Sequence, residues 1–380
     1  MAKISIVNEG FGLGGVERVA TLLANGLDSL GHKVHLIDFT SDGNIFYETK
    51  DSIRIKHLRK RKTHRKVRYK YEFWKYNLSG TPIKSINLYK EQCLDLINII
   101  NQNQYDFVIL CQGTLTSLLP YIKKGIKNTK IIVWQHNEFN IYMDKYYKSV
   151  SDDYKRGLKM ADLVVCLTKK DEMLFKKYND NTTHIYNPLT IKTNEISNLH
   201  HKNIVFISRL SLEQKGLDYL VEVARNLSEG WKLHIAGDGP DREWLEEQIV
   251  KYNLINKVVI HGRMDPDNII ELYLLSSLFI STSRWEGFGL VLTEAMSVGL
   301  PIVAFKNQGP SEILADGKYG VLIEKGNTRK FCEVINGLTS SLEQRTKYQE
   351  LSLKRVKDFD TKEITQQWDT QFKKINGRND

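Results

Sequence analysis

The sequence predicts an α/β protein made of two consecutive Rossmann-like domains, each a parallel sheet covered by helices. Three observations carry that expectation. Short apolar runs alternate with longer amphipathic stretches along the chain. The strand, glycine turn, helix and strand that open the chain have a counterpart after the polar stretch KTNEISNLHHKN. The length of 380 residues exceeds what one hydrophobic core usually organises.

In the first half, KISIVNE (Lys3 to Glu9) reads as a buried strand and FGLGG as a turn. Val16 to Leu30 reads as a helix closed by Gly31. VHLIDF then gives a second strand, and YDFVIL, KIIVWQH and DLVVCLT give three more. Helices fit between them, including Lys84 to Gln102 and Lys169 to Tyr178. Pro188, just past Asn187, suits a stop between units, because proline restricts itself and the residue before it.

The second half opens on KNIVFISRL, a strand ending in Ser208 and Arg209. Helix and strand then alternate: Gly216 to Leu227, WKLHIAGDG, Asp241 to Lys251, KVVIHGR, Asn268 to Ser276, LFISTS, LVLTEAMSVGL and PIVAF. Near the end, Glu363 to Ile375 reads as a helix with Trp368 and Phe372 on one face. The expected divisions are 1–190, 191–362 and a terminal helix in 363–380 that returns to the first domain. Ligands of open parallel sheets bind beyond the carboxyl ends of the strands, so the chemistry is expected there, in a cleft between the domains.

Composition narrows the classes. Hydrophobic residues make up 41% and charged residues 26%, which suits a soluble globular protein. The four cysteines, Cys93, Cys111, Cys166 and Cys332, match neither a zinc site nor a disulfide framework. The opening MAKISIVNEGFGLGG does not read as a signal peptide, and no apolar run reaches about 18 residues. Secreted, collagenous and membrane-spanning classes are set aside.

The formal charge of +10 is unevenly spread. Residues 1–190 hold 30 Lys and Arg against 19 Asp and Glu, and residues 191–380 hold 25 against 26. Ten basic residues lie between Arg54 and Lys70, among them Arg59, Lys60, Arg61, Lys62, Arg65, Lys66, Arg68 and Lys70. Aromatics including Trp74 follow. A solvated face, an anionic membrane surface or polyanionic acceptor, and a nucleic-acid backbone all fit such a run. No zinc finger, basic zipper or RNA-binding aromatic motif accompanies it, so no nucleic-acid partner is expected.

The most informative segment is STSRWEGFGLVLTEAMSVGLP. A strand ends near Ser281, a loop carries Arg284, Trp285, Glu286, Gly287, Phe288 and Gly289, and a helix begins near Leu290 and contains Glu294. Free N–H groups in the first turn of a helix favour a phosphate, and the glycines let a ligand approach the backbone. The two carboxylates, with seven residues between them, can accept hydrogen bonds from two parts of one ligand. An ordinary first-turn acid is the plainer reading of Glu294. In SRLSLEQKGLDYL, Arg209 leaves a strand end and Lys215 precedes Gly216 and a helix. Both cations can reach one diphosphate. Gly12, Gly14 and Gly15 form a tight turn but neither a dinucleotide fingerprint nor a Walker loop. His136 ends an apolar strand, where it either meets a substrate hydroxyl or bonds locally; Glu138 is a weaker candidate. No metal-ligand spacing occurs, so no protein-bound metal or other cofactor is expected.

With these motifs in order, the chain resembles the retaining glycosyltransferases of family four, which have the GT-B fold of two facing Rossmann-like domains. The resemblance covers essentially the whole chain. It rests on Glu286 and Glu294 in EGFGLVLTE, on Arg209 with Lys215-Gly216, on the GxGG-type first loop, and on AGDGP at Ala236 to Pro240. It implies that Arg209 and Lys215 hold the diphosphate of a nucleotide-sugar, Glu294 the ribose, and Glu286 the transferred sugar. Backbone N–H groups of Phe288 to Leu290 reach sugar or phosphate, and Gly14 and Gly15 admit substrate against the first domain. His136 bonds a donor hydroxyl, and His261 lies near the base. A start of the GGxERV type and Gly309-Pro310-Ser311-Glu312-Ile313 resemble bacterial enzymes that use UDP-hexoses or UDP-N-acetylhexosamines. Their acceptors are lipid-linked saccharides, capsule repeats or teichoic acids, which implies a cytoplasmic enzyme lying on the inner face of the membrane. The rivals are a sugar-nucleotide epimerase, a glycosyltransferase with a small soluble acceptor, and a non-enzymatic membrane or nucleic-acid binder using the basic run.

Overall fold

The computed structural model describes residues 1–40, 43, 45–58 and 65–377, without the side chains of Arg65 and Lys66. The chain forms two units. One comprises Met1–Pro188 together with the segment from Thr361 onward, and the other is Leu189–Asp360.

The first unit holds strands β1 (Lys3–Asn8), β2 (Lys33–Asp38), β3 (Arg54–His57), β4 (Phe107–Cys111), β5 (Lys130–Trp134), β6 (Leu163–Cys166) and β7 (Thr182–His184). They form one parallel sheet in the order β3-β2-β1-β4-β5-β6-β7. Its central strands are apolar on both faces because helices cover both. The helix Gly15–Ser29 buries Val19, Ala20, Leu23, Ala24 and Leu27, one face at helical spacing. Gly31 ends it at φ +86°, a conformation that a side chain resists.

The terminal helix Thr361–Ile375 belongs to this unit. Its Trp368 meets Trp134 edge to face with centroids 4.9 Å apart, and Phe372 packs on Phe107 at 4.7 Å. Asp369 pairs with His32 at 3.0 Å. Gly26 lets the two helices touch, since a Cβ there would lie 2.3 Å from Thr365 Oγ1.

The basic stretch supplies the edge strand β3 and, further on, the helix Arg65–Ser79, which hydropathy alone does not mark. Arg59, Lys60, Arg61 and Lys62 lie outside the described residues. Arg65 and Lys66 begin the helix, on which Val67, Arg68, Tyr69, Lys70, Tyr71, Trp74 and Leu78 are exposed. No helix among the described residues is long and apolar enough to cross a membrane.

The second unit holds β8 (Asn203–Ile207), β9 (Lys232–Ala236), β10 (Val258–Gly262), β11 (Leu278–Ser281), β12 (Ile302–Phe305) and β13 (Val321–Ile323). They too form one parallel sheet, in the order β10-β9-β8-β11-β12-β13. Its core includes Ile204, Phe206, Leu233, Ile235, Ile280, Val303 and Phe305. Burying each such side chain contributes about 1.5–3 kcal/mol. The strand order reverses between β8 and β11, and between β1 and β4 in the first unit, which marks the switch points of both sheets.

Candidate active site

At the switch point of the second sheet, the segments after β8 and β11 lie side by side. Beyond β8 the chain makes a single helical turn, Leu212–Lys215, rather than an open loop, so Lys215 closes that turn. Gly216 follows at φ +63°, and the helix Leu217–Arg225 begins. A Cβ on Gly216 would lie 2.3 Å from Thr282 O, so this position needs glycine for space as well as conformation.

The segment after β11 is bonded to that turn. Thr282 Oγ1 donates to Lys215 O at 2.8 Å, and Arg284 N donates to Gln214 O at 2.8 Å. The Lys215 ammonium pairs with a Glu286 carboxylate oxygen, which Ser283 Oγ also approaches at 3.4 Å. The two side chains are 12% and 17% exposed, enough seclusion to strengthen the pair over a surface one. Gly309 N donates to Glu286 O at 3.0 Å, and a Cβ on Gly309 would stand 2.2 Å from Phe288 O. Backbone therefore packs directly on the Glu286–Gly289 loop.

Gly287, Phe288 and Gly289 are buried. Gly289, at φ +102°, opens the helix Leu290–Ser297 without a side-chain cap, so first-turn N–H groups are left for a ligand. Phe288 meets Phe359 edge to face at 5.8 Å. Glu294 lies in this helix and is only 3% exposed. One of its oxygens accepts the Thr190 hydroxyl, and the other accepts from Tyr273 Oη at 3.1 Å. Arg209 is exposed at the end of β8, and no side-chain partner is found for it among the described residues. Lys215 and Glu286 are thus brought together, Glu294 is buried on the hydroxyls of Thr190 and Tyr273, and Arg209 is not paired with either acid.

His261 sits where the register of β10 against β9 shifts. Its Nε2 lies 2.9 Å from His234 Nδ1, with the rings stacked at 5.2 Å. Burial, and next the neighbouring His261, lower the His234 pKa to about 4.

In the first unit, Gly14 is extended and Gly15 starts the first helix. A Cβ on Gly14 would meet the Glu17 carboxyl, whose Oε1 accepts from Asn8 Nδ2 at 3.3 Å. Burial raises the Glu17 pKa. His136 follows β5, with its ring 4.3 Å from that of Trp134. Both ring nitrogens are buried and find no protein partner among the described residues, so the local hydrogen bond expected of a structural histidine is not present. Burial lowers its pKa to about 3, which keeps the imidazole neutral. Among the described residues no group of three or more His, Cys, Asp or Glu is placed to hold a metal ion.

Sequence reasoning passed over Thr190, Tyr273, Thr282, Ser283 and Arg284 as site residues. Arg284 and Ser283 stand beside Glu286 in the informative segment, but nothing in their spacing says what they touch. Thr190 and Tyr273 are ordinary residues until the fold sets their hydroxyls on Glu294.

Two Rossmann-like units, the second with a cation and an acid joined at its switch point, form the architecture of the GT-B glycosyltransferases. The chain belongs to that family of enzymes. Residues 13–192 match the model of Glycosyltransferase Family 4, and residues 190–355 match that of Glycosyl transferases group 1. An uncharacterized glycosyltransferase of Methanocaldococcus jannaschii is 30% identical over 331 residues, 72% of this chain and 80% of that one. The amylovoran biosynthesis glycosyltransferase AmsD of Erwinia amylovora is 27% identical over 387 residues, covering 97% and 99%. A structure of a point mutant of S. aureus TarM, in complex with Fondaparinux, alpha-GlcNAc-glycerol and UDP, superposes with a TM-score of 0.74 at 16% identity, over 98% of this chain and 100% of that one, a likeness of fold.

Proposed function

We propose that the protein transfers a hexose or N-acetylhexosamine from a UDP-sugar to a cell-envelope glycan with retention at the anomeric carbon. The acceptor is a lipid-linked saccharide, a capsule repeat or a teichoic acid. The observation that carries the reading is the Lys215–Glu286 pair beside the glycine-opened start of the helix Leu290–Ser297. The named activity of AmsD and the ligands in the TarM structure support the choice of donor and acceptor.

In this reading Lys215 and Arg209 bind the diphosphate and stabilise the charge that grows on it as the glycosidic bond breaks. The N–H groups of Phe288 to Leu290 bind phosphate or sugar oxygens, and Glu286 accepts from a hydroxyl of the transferred sugar. Glu294, held by Thr190 and Tyr273, accepts from the ribose. His261 lies toward the base. In the first unit, Gly14 and Gly15 let substrate meet backbone, and neutral His136 exchanges a hydrogen bond with a sugar hydroxyl. The acceptor oxygen attacks the anomeric carbon on the face from which the diphosphate departs. A phosphate oxygen takes the acceptor proton, and inversion is avoided without a protein nucleophile. The helix Arg65–Ser79 meets the anionic inner face of the cytoplasmic membrane through Arg68, Lys70 and Trp74.

The test incubates the protein with UDP-, GDP- and ADP-sugars, with and without EDTA, and records free nucleotide. Slow release from one UDP-sugar, indifferent to EDTA and lost in R209A, is expected. Failure of UDP, GDP and ADP all to bind would overturn the reading.

A further inference from the structure

We propose that Arg284 is a positioning residue that holds Lys215 where it meets the donor diphosphate. The inference rests on the role given to Lys215 above.

The turn Leu212–Lys215 is four residues long and cannot persist by its own hydrogen bonds. Leu212 O accepts from Gly216 N at 3.1 Å, and the carbonyls of Glu213, Gln214 and Lys215 look outside the turn for their donors. Arg284 supplies most of them. Nη1 donates to Leu212 O at 3.0 Å and to Glu213 O at 3.3 Å, and the backbone N–H donates to Gln214 O at 2.8 Å. Thr282 takes the remaining carbonyl, that of Lys215. Nη2 donates to Asp218 Oδ2 at 2.6 Å, just beyond Gly216, and the guanidinium lies 4.2 Å from the Tyr219 ring centre. One planar side chain thus ties the turn to the start of the next helix.

The consequence lies in where Arg284 sits. Its side chain fixes the turn that ends in Lys215, and two residues along its own backbone stands Glu286, the partner of the Lys215 ammonium. Both halves of the ion pair are therefore referred to a single residue. A lysine at 284 keeps one charge but cannot span two carbonyls and a carboxylate at once, because its ammonium has no fork.

The experiment titrates UDP and uridine into wild type, K215A, R284A, R284K and the K215A/R284A double variant, with thermal unfolding of each as a check on folding. If UDP does not bind but GDP or ADP does, that nucleotide and its nucleoside are used. The expected result is a rise of about tenfold in Kd for UDP in K215A and in R284A, with uridine binding unchanged. The double variant should bind UDP within about twofold of K215A, since residues acting through one contact are not additive. R284K should fall between, and it carries the test if R284A does not fold. If K215A binds UDP like wild type, the reading of Lys215 fails and this inference with it. If K215A is weakened but Arg284 variants are not, or if the two losses multiply, or if uridine weakens equally, Arg284 does not act through Lys215 and only this inference falls.

Discussion

Lys215 and Glu286 form an ion pair across 71 positions of chain, each at the carboxyl end of a different strand of one parallel sheet. Their strands, β8 and β11, are neighbours although β9 and β10 lie between them in sequence. The pair is where the cation proposed for the leaving diphosphate meets the acid proposed for the sugar, and its removal has two separable effects.

K215M leaves a secluded carboxylate without its cation, and E286Q leaves the ammonium in the same position. Each should lower unfolding free energy by about 1–3 kcal/mol, read from urea melts. K215M should also cut nucleotide-sugar turnover by about a hundredfold or more, since a group aimed at developing charge is lost, and E286Q by about tenfold, since the charge that strengthens its bond to a sugar hydroxyl is lost. Retained turnover in K215M would remove the lysine from the mechanism.

Glu294 depends on hydroxyls from two distant segments. Removing one in Y273F or T190V should cost about 1–2 kcal/mol of stability, because a buried carboxylate loses a donor. UDP affinity should fall several-fold in both. An unchanged affinity would mean that the carboxylate is structural.

The glycines differ in what confronts them. At Gly309 an added methyl meets the carbonyls of Phe288 and Glu286, which belong to the site loop and cannot swing aside. G309A should cost about 1–3 kcal/mol and reduce turnover at least about tenfold. At Gly14 the methyl meets only the end of the Glu17 side chain, and the backbone is extended. G14A should fold with a change of under about 1 kcal/mol. Equal losses in the two variants would contradict this contrast.

His136 is held neutral, with a folded pKa of about 3 against an ordinary value near 6.5. Below 6.5 the unfolded chain takes up a proton that the folded one refuses. The contribution is therefore complete above about pH 6.5 and is lost as pH falls toward 3, with a slope of at most about 1.4 kcal/mol per pH unit. Stability of H136N followed from pH 7 to pH 4.5 should decline less steeply than that of wild type. Parallel curves would show that the imidazole is not held neutral.

The exposed side chains of the helix Arg65–Ser79 give the membrane reading its own check. Wild type should sediment with vesicles containing anionic lipid and not with neutral ones. R68E/K70E/W74A should lose about tenfold or more in partitioning, given roughly 1 kcal/mol per basic residue near the surface. Binding that persists would assign the helix another task.

The alternation of apolar runs and amphipathic stretches was enough to read two parallel-sheet units, because strands buried on both faces must be apolar throughout. Glu286, the glycines around it, Glu294, Arg209 and Lys215 stood out as candidates for a similar reason. A strand end, a glycine turn and a helix start are local, and the chemistry proposed for them is local too. The strand β3 and the helix Arg65–Ser79 were not legible, since β3 is only four residues long and the apolar contact of the helix, Phe73 and Tyr76, is small and set among basic residues and exposed aromatics. Only the tertiary structure decided that Lys215 pairs with Glu286, that Thr190 and Tyr273 hold Glu294, and that Arg284 fills the carbonyls of a turn about 70 residues upstream. Lys215, Glu286 and Arg284 come together because crossover connections place β8 beside β11, and a side chain's spacing along the chain carries no record of which carbonyl or carboxylate that crossing will set before it.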